Sequence, residues 1–240
     1  MIHSTTKYVF NINNFTNYQQ SACSDQFVGR IELNNGKFEY VGKDVFVLTR
    51  KKNINGQTRQ DVNYSSSTLS STTNLKLAVL LESPHIDEFN IQGKTYTTAP
   101  AWGRTGDRFN TQFIKVLNKP SNLSKILSSL NISKKVRKNI DVYIVNAIQY
   151  QCSLGFSPIN KVLRDFIFQN LWNAVPNSFL DDLVERLNFL SPDIIINACT
   201  ISLQKLCCNY SNIAPKLNKK IPILHSNCHM SAWGKNTVIS

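Results

Sequence analysis

The sequence predicts an α/β protein: three α/β/α layers around a central, mostly parallel four-stranded sheet, with a small β meander ahead of it. Two observations carry this expectation. From residue 75 onward, short apolar runs alternate with amphipathic stretches of helical period, the pattern of a parallel sheet covered on both faces. Before residue 73 that rhythm is absent, and brief alternating runs separated by turn residues take its place.

The elements follow in order. Arg30-Ile31-Glu32-Leu33 and Lys37-Phe38-Glu39-Tyr40-Val41 alternate apolar with polar on either side of Asn35-Gly36, a two-residue hairpin signal. A second turn at Val41-Gly42-Lys43-Asp44 leads to Val45-Phe46-Val47-Leu48, completing an antiparallel meander. Serine and threonine dominate from Tyr64 to Thr73, as in a linker or long loop. The chain therefore divides into a β-rich accessory region, residues 1–72, and an α/β domain, residues 73–240.

Leu75 to Leu81 is a nearly unbroken apolar run, as expected of a strand buried on both faces. Thr111 to Leu117 and Ser124 to Leu130 read as helices, and Asp141 to Ala147 as a second buried strand. Asn160 to Trp172 and Phe179 to Leu190 are amphipathic helices, the latter stopped by Ser191-Pro192. Asp193 to Asn197 is a third strand, Ile201 to Cys208 a helix, and Ile221 to Leu224 a fourth strand.

Composition narrows the function classes. The chain has 27 Lys and Arg against 15 Asp and Glu, a net charge of +12, which suits a polyanionic partner whose phosphates release counterions on binding. Six cysteines are present without a C-x-x-C pair, so neither a zinc ribbon nor a disulfide framework is expected, and reduced thiols in a cytosol fit best. The N-terminus lacks the pattern of a signal peptide, and no apolar run approaches the roughly 18 residues that cross a bilayer. No membrane partner is expected.

In parallel sheets, ligands sit beyond the carboxyl ends of the strands. There the first strand runs into Glu82-Ser83-Pro84-His85-Ile86-Asp87, the second ends at Asn146, and the fourth runs into His225-Ser226-Asn227-Cys228-His229-Met230-Ser231. Singly, these residues have plain readings as turn, cap or structural side chains. A carboxylate, an amide and imidazoles gathered at one rim point instead to a site.

With Gly93-Lys94-Thr95-Tyr96 and Gly103-Arg104-Thr105-Gly106, the Glu82 segment resembles the first motif of the uracil-DNA glycosylase superfamily. Asp141 to Asn146 resembles that superfamily's strand ending in a base-reading asparagine, and Ser191 to Ile196 its Pro-x-x-Ile-Ile strand. His225 to Ser231 is similar to its final His-Pro-Ser motif, with either histidine fitting; Ser231 follows His229 at the family spacing. The chain departs from the pattern where Leu81 and His85 replace glycines and where six residues separate Tyr96 from Gly103.

The resemblance implies a DNA glycosylase that flips a base out of DNA and hydrolyses its N-glycosidic bond. Glu82 would position water or stabilise the sugar cation, with Asp87 in reserve, and His229 or His225 would donate to the departing base. Asn146 would read the base edge, and Tyr96 and Trp102 would stack on it, in a pocket bordered by Ser83, Pro84 and His85. Gly103, Arg104, Gly106, Arg108 and Ser231 would hold flanking phosphates. The long Tyr96–Gly103 loop favours a modified pyrimidine over uracil, and some relatives remove such bases from phage DNA in bacterial defence. Some relatives also hold an iron–sulfur cluster; here only Cys152 is near a ligand position, so no cluster and no other cofactor is expected. A monomer is expected. The alternatives are a catalytically silent nucleic-acid or nucleotide binder on the same fold, and a metal hydrolase using His225, Cys228 and His229. Those three ligands are too close together and lack a distant partner.

Overall fold

The structure, a computed structural model, describes residues 22–41, 60–64, 73–85, 88, 100–101, 103–150, 152, 161–172, 179–207 and 213–240. The expected strand at Val45–Leu48 and most of the serine- and threonine-rich stretch lie outside these residues.

The described part is a mixed α/β fold. Its strands are β1 (Gln26–Asn34), β2 (Lys37–Tyr40), β3 (Gln60–Asp61), β4 (Leu75–Leu81), β5 (Lys138–Asn146), β6 (Ile194–Asn197) and β7 (Ile223–His225). Its α-helices are α1 (Arg104–Leu117), α2 (Pro120–Leu130), α3 (Lys161–Trp172), α4 (Phe179–Leu190) and α5 (Ile201–Cys207). The sheet order is β2-β1-β5-β4-β6-β7, with β3 also on β1. β5, β4, β6 and β7 are parallel neighbours, so their carboxyl ends share one edge.

The sheet is larger than the expected four strands. β1 pairs antiparallel with β5 from Gln26 to Leu33, and β2 and β3 pair with β1, so the N-terminal strands and the parallel ones form one sheet. The β1–β2 turn uses Asn35 and Gly36 with φ of 49° and 73°, the left-handed pair that a tight hairpin needs. Gly29, at φ 148°, sits where the β1–β5 register shifts, a bulge that a side chain would strain.

Alternate strand residues feed two apolar clusters, one on each face of the sheet. Leu77, Val79, Val142, Ile144 and Ile196 pack with Phe109 and Phe113 of α1, Ile126 of α2, and Trp233. Ala78, Leu80, Val145 and Ile195 pack with Phe168 of α3, Leu183 and Leu187 of α4, and Leu203 of α5. Each fully buried large apolar side chain contributes about 1.5–3 kcal/mol. Asn118, at the end of α1, accepts from Phe38 N at 2.7 Å and donates to Phe38 O at 2.8 Å, docking β2 on that helix. Pro120 opens α2, and Asn131 closes it in a left-handed conformation at φ 52°. Among the described residues, no helix is long and apolar enough to cross a membrane.

Candidate active site

The site grows from the exits of β4 and β5. Leu81 O accepts from Ala147 N at 2.7 Å and Glu82 O from Ile148 N at 2.9 Å, so the two strand exits stay laced beyond their last ladder pair. This holds Glu82 at the sheet edge with only 5% of its surface exposed.

Three groups face its carboxylate. Thr200 N, just before α5, donates to Oε2 at 3.1 Å. Arg164 Nη1 of α3 lies 3.6 Å from Oε1, and His229 Nε2 lies 3.5 Å from Oε2. Charge-assisted N–H···O bonds are ordinarily about 2.7–2.9 Å long. The arginine and histidine contacts are looser, which leaves them free to tighten or admit a ligand atom.

The histidine's tautomer follows from its neighbours. Ser231 N donates to His229 Nδ1 at 3.2 Å, and an amide nitrogen can only donate, so Nδ1 carries a lone pair. In the neutral ring the proton is then on Nε2, the atom facing Glu82. The Ser231 hydroxyl is 2.8 Å from the same Nδ1. The loop presenting this ring is built by buried polar bonds: Ser226 donates to Cys228 O at 2.8 Å and accepts from Trp233 Nε1 at 3.0 Å. Trp233 stacks on Phe113 with centroids 6.1 Å apart. Behind it, Lys119 Nζ of the α1–α2 connection donates to Gly234 O at 3.0 Å and Thr237 O at 2.8 Å, and Asn122 Oδ1 accepts from Ile239 N at 3.0 Å.

Asn146 ends β5 beside Leu81 in the ladder and has no exposed surface. Its backbone is secured: N donates to Asp25 Oδ1 at 3.1 Å, and O accepts from Arg186 Nη2 at 3.0 Å. Arg186 and Asp25 form a buried ion pair at 2.5 Å, joined by the Tyr64 hydroxyl at 2.6 Å from Asp25. Burial opposes the guanidinium's charge, but Asp25 and Asp182 outweigh it and hold its pKa above the ordinary value. The Asn146 side chain is different: both Oδ1 and Nδ2 are buried and, among the described residues, find no hydrogen-bond partner. Each such group left unpaired costs about 1–3 kcal/mol.

The other sequence-derived candidates fall out as follows. Ser83 is half-buried, and its hydroxyl bonds to Cys152. The Cys152 thiol is pushed up to about 12, chiefly by complete burial. Pro84 is buried and His85 half-buried, with His85 O accepting from Glu88 N at 2.9 Å. His225 is turned to Asn197, whose Nδ2 lies 3.5 Å from its Nδ1, and burial lowers its pKa. The structure therefore brings His229, and not His225, to Glu82. The Gly106 amide lies inside the first turn of α1, donating to Gly103 O at 3.0 Å in a buried position. Arg108 is exposed, and Arg104 begins α1 with its side chain outside the described residues. Asp87, Tyr96 and Trp102 also lie outside them.

Arg164 and Thr200 were not among the expected site residues. Arg164 had a signal: it occupies the apolar stripe of α3, three and four residues ahead of buried Ile167 and Phe168. Thr200 acts through its backbone, which leaves no trace in sequence. Among the described residues, no group of three or more His, Cys, Asp or Glu is arranged to hold a metal ion. No protein-family model matches the chain, and no curated protein shows significant similarity to it.

Proposed function

We propose that the chain is a DNA glycosylase with a three-layered, uracil-DNA-glycosylase-like fold, hydrolysing the N-glycosidic bond of a flipped-out, modified pyrimidine. The observation that carries this reading is the imidazole of His229 facing the Glu82 carboxylate at 3.5 Å, with the buried Asn146 amide, its polar atoms unspent among the described residues, at the same end of the sheet. Resemblance of the motifs around Glu82, Asn146 and His229 to that superfamily supports it.

In this mechanism the C1′–N bond breaks with its electron pair going to the base, and the sugar takes on positive charge. Glu82 stabilises that charge and accepts a proton from the water whose oxygen adds to C1′. His229 Nε2–H donates to the carbonyl oxygen of the base as negative charge gathers there. Asn146 supplies one donor and one acceptor, the complement of a pyrimidine edge. Arg164 and Thr200 N position the carboxylate. No cofactor enters this chemistry. Cys152 and Cys228 form no disulfide among the described residues, in keeping with a reducing cytosol, where the chain would work as a monomer in defence against phages with modified DNA.

The test is incubation with DNAs carrying different modified bases, followed by mass spectrometry of released bases. Product from the native chain and at least a hundredfold less from Glu82→Gln supports the reading. Full activity in Glu82→Gln removes the assigned role. A second reading, a nucleic-acid or nucleotide binder without chemistry, is favoured by the near-complete burial of Glu82 against Arg164. Binding of DNA without any released base would select it.

A further inference from the structure

The opposite edge of the sheet carries a second charged feature that the site chemistry leaves unused. Between α2 and β5 the chain reads Ser133-Lys134-Lys135-Val136-Arg137-Lys138, four cations in five residues. The turn is tight, with Val136 N donating to Ser133 O at 3.1 Å, and Lys134, Lys135 and Arg137 are exposed.

The fold adds a further cation from far away in sequence. The β1–β2 turn lies under this segment: a Cβ on Gly36 would stand 3.5 Å from Lys134 Cβ, and Leu33 of β1 is the ladder partner of Lys138. Exposed Lys37 follows Gly36 directly. Five cationic side chains thus surround one hairpin tip. The nearby carboxylates are Glu32, held by Arg137, and Glu39, its ladder partner. No described carboxylate lies within ion-pair distance of Lys37, Lys134, Lys135 or Lys138. Cations held together without counterions repel one another, and a surface that keeps them so is suited to an anionic partner.

We propose that this hairpin-tip surface is a second nucleic-acid contact, gripping phosphates without reading sequence. Exposed Asn35 and Asn131 flank the lysines and can add neutral hydrogen bonds to phosphate oxygens. The exposed apolar component is small, Val136 at 44%, too little to anchor in a lipid surface. β5 runs from Lys138 at this edge to Asn146 at the site, about 26 Å at roughly 3.3 Å per residue. A nucleic acid that holds a base at the site and phosphates here must therefore span about 26 Å. The surface goes beyond the glycosylase reading and does not depend on it.

The test uses the full chain and its Lys134→Ala/Lys135→Ala/Lys138→Ala variant, with thermal melting to verify that both are folded. Fluorescence anisotropy follows binding to a long unmodified duplex across a salt series. Loss of three phosphate contacts lowers the slope of log affinity against log salt by about 2.7, and affinity at low salt falls at least tenfold. Base release from a short single-stranded oligonucleotide stays unchanged. An unaltered slope and affinity overturn the proposal, as does a variant that loses binding to phosphatidylserine vesicles while keeping its duplex affinity. If no DNA yields a free base but the slope still falls, this surface stands and the glycosylase reading fails.

Discussion

Trp233 donates its indole N–H to the hydroxyl of Ser226, closing the loop that presents His229. The bond is buried, and the ring is stacked against Phe109 and Phe113. Trp233→Phe keeps much of the stacking and deletes the donor. It should cost about 1–2 kcal/mol in urea denaturation and reduce base release by more than its effect on folding explains, because the imidazole is no longer held in register with Glu82.

Asn146→Leu should separate stability from function. The native amide is desolvated without a partner among the described residues, so an apolar residue of similar volume relieves a cost instead of removing a bond. The expected outcome is a gain of about 1 kcal/mol, or no change, in equilibrium unfolding, together with loss of base release. A loss of several kcal/mol would mean that the amide serves the fold.

Arg186→Met should be the most damaging of the structural changes. It leaves the Asp25 carboxylate buried without its counterion and removes the donor to Asn146 O and Ala147 O. Breaking a buried pair in this way costs about 3–5 kcal/mol, read as a large drop in melting temperature. Asp182→Asn, which touches only the more exposed Nε contact, should cost far less.

Cys152 gives a pH dependence. Its thiol is raised from 9.0 in the exposed state to about 12 in the fold. The group therefore contributes stability that is complete below pH 9 and is lost as pH rises from 9 towards 12. Alkylation at pH 8 should be slow until the protein unfolds, while Cys152→Ala should flatten the alkaline limb of the stability curve. Rapid alkylation of the folded protein at Cys152, located by peptide mapping, would contradict this burial.

The fold was legible where sequence pattern and tertiary role coincide. The apolar run Leu75–Leu81 is β4 with the expected bounds, and Phe179–Leu190 is α4, because burial on both faces or along one stripe leaves a periodic signature. Partner choice was less legible. Alternation in Arg30–Leu33 and the Asn35-Gly36 turn identify β1 and its hairpin partner β2, but not its other neighbour; the long β1–β5 ladder is set by contacts across more than a hundred residues of chain. Helix α1 begins at Arg104, ahead of the expected Thr111, because Gly103 and Gly106 read as loop residues while their backbone closes the first helical turn.

The same division holds at the site. Glu82 and Asn146 could be placed from strand ends alone. The choice between His225 and His229 could not, since His225 ends β7, His229 lies four residues on, and only the turn through Ser226 and Cys228 decides which ring reaches the edge. Arg164 contacts Glu82 from a helix that reads in sequence as ordinary packing.

Asn118 has a consequence for how molecules of this protein meet. β2 is the last strand of the described sheet order on its side, and the outward N–H and C=O of Phe38 are already taken by the Asn118 amide. A strand from another molecule finds that rung already occupied, and the concentrated protein has one place fewer at which templated growth into fibrils could begin.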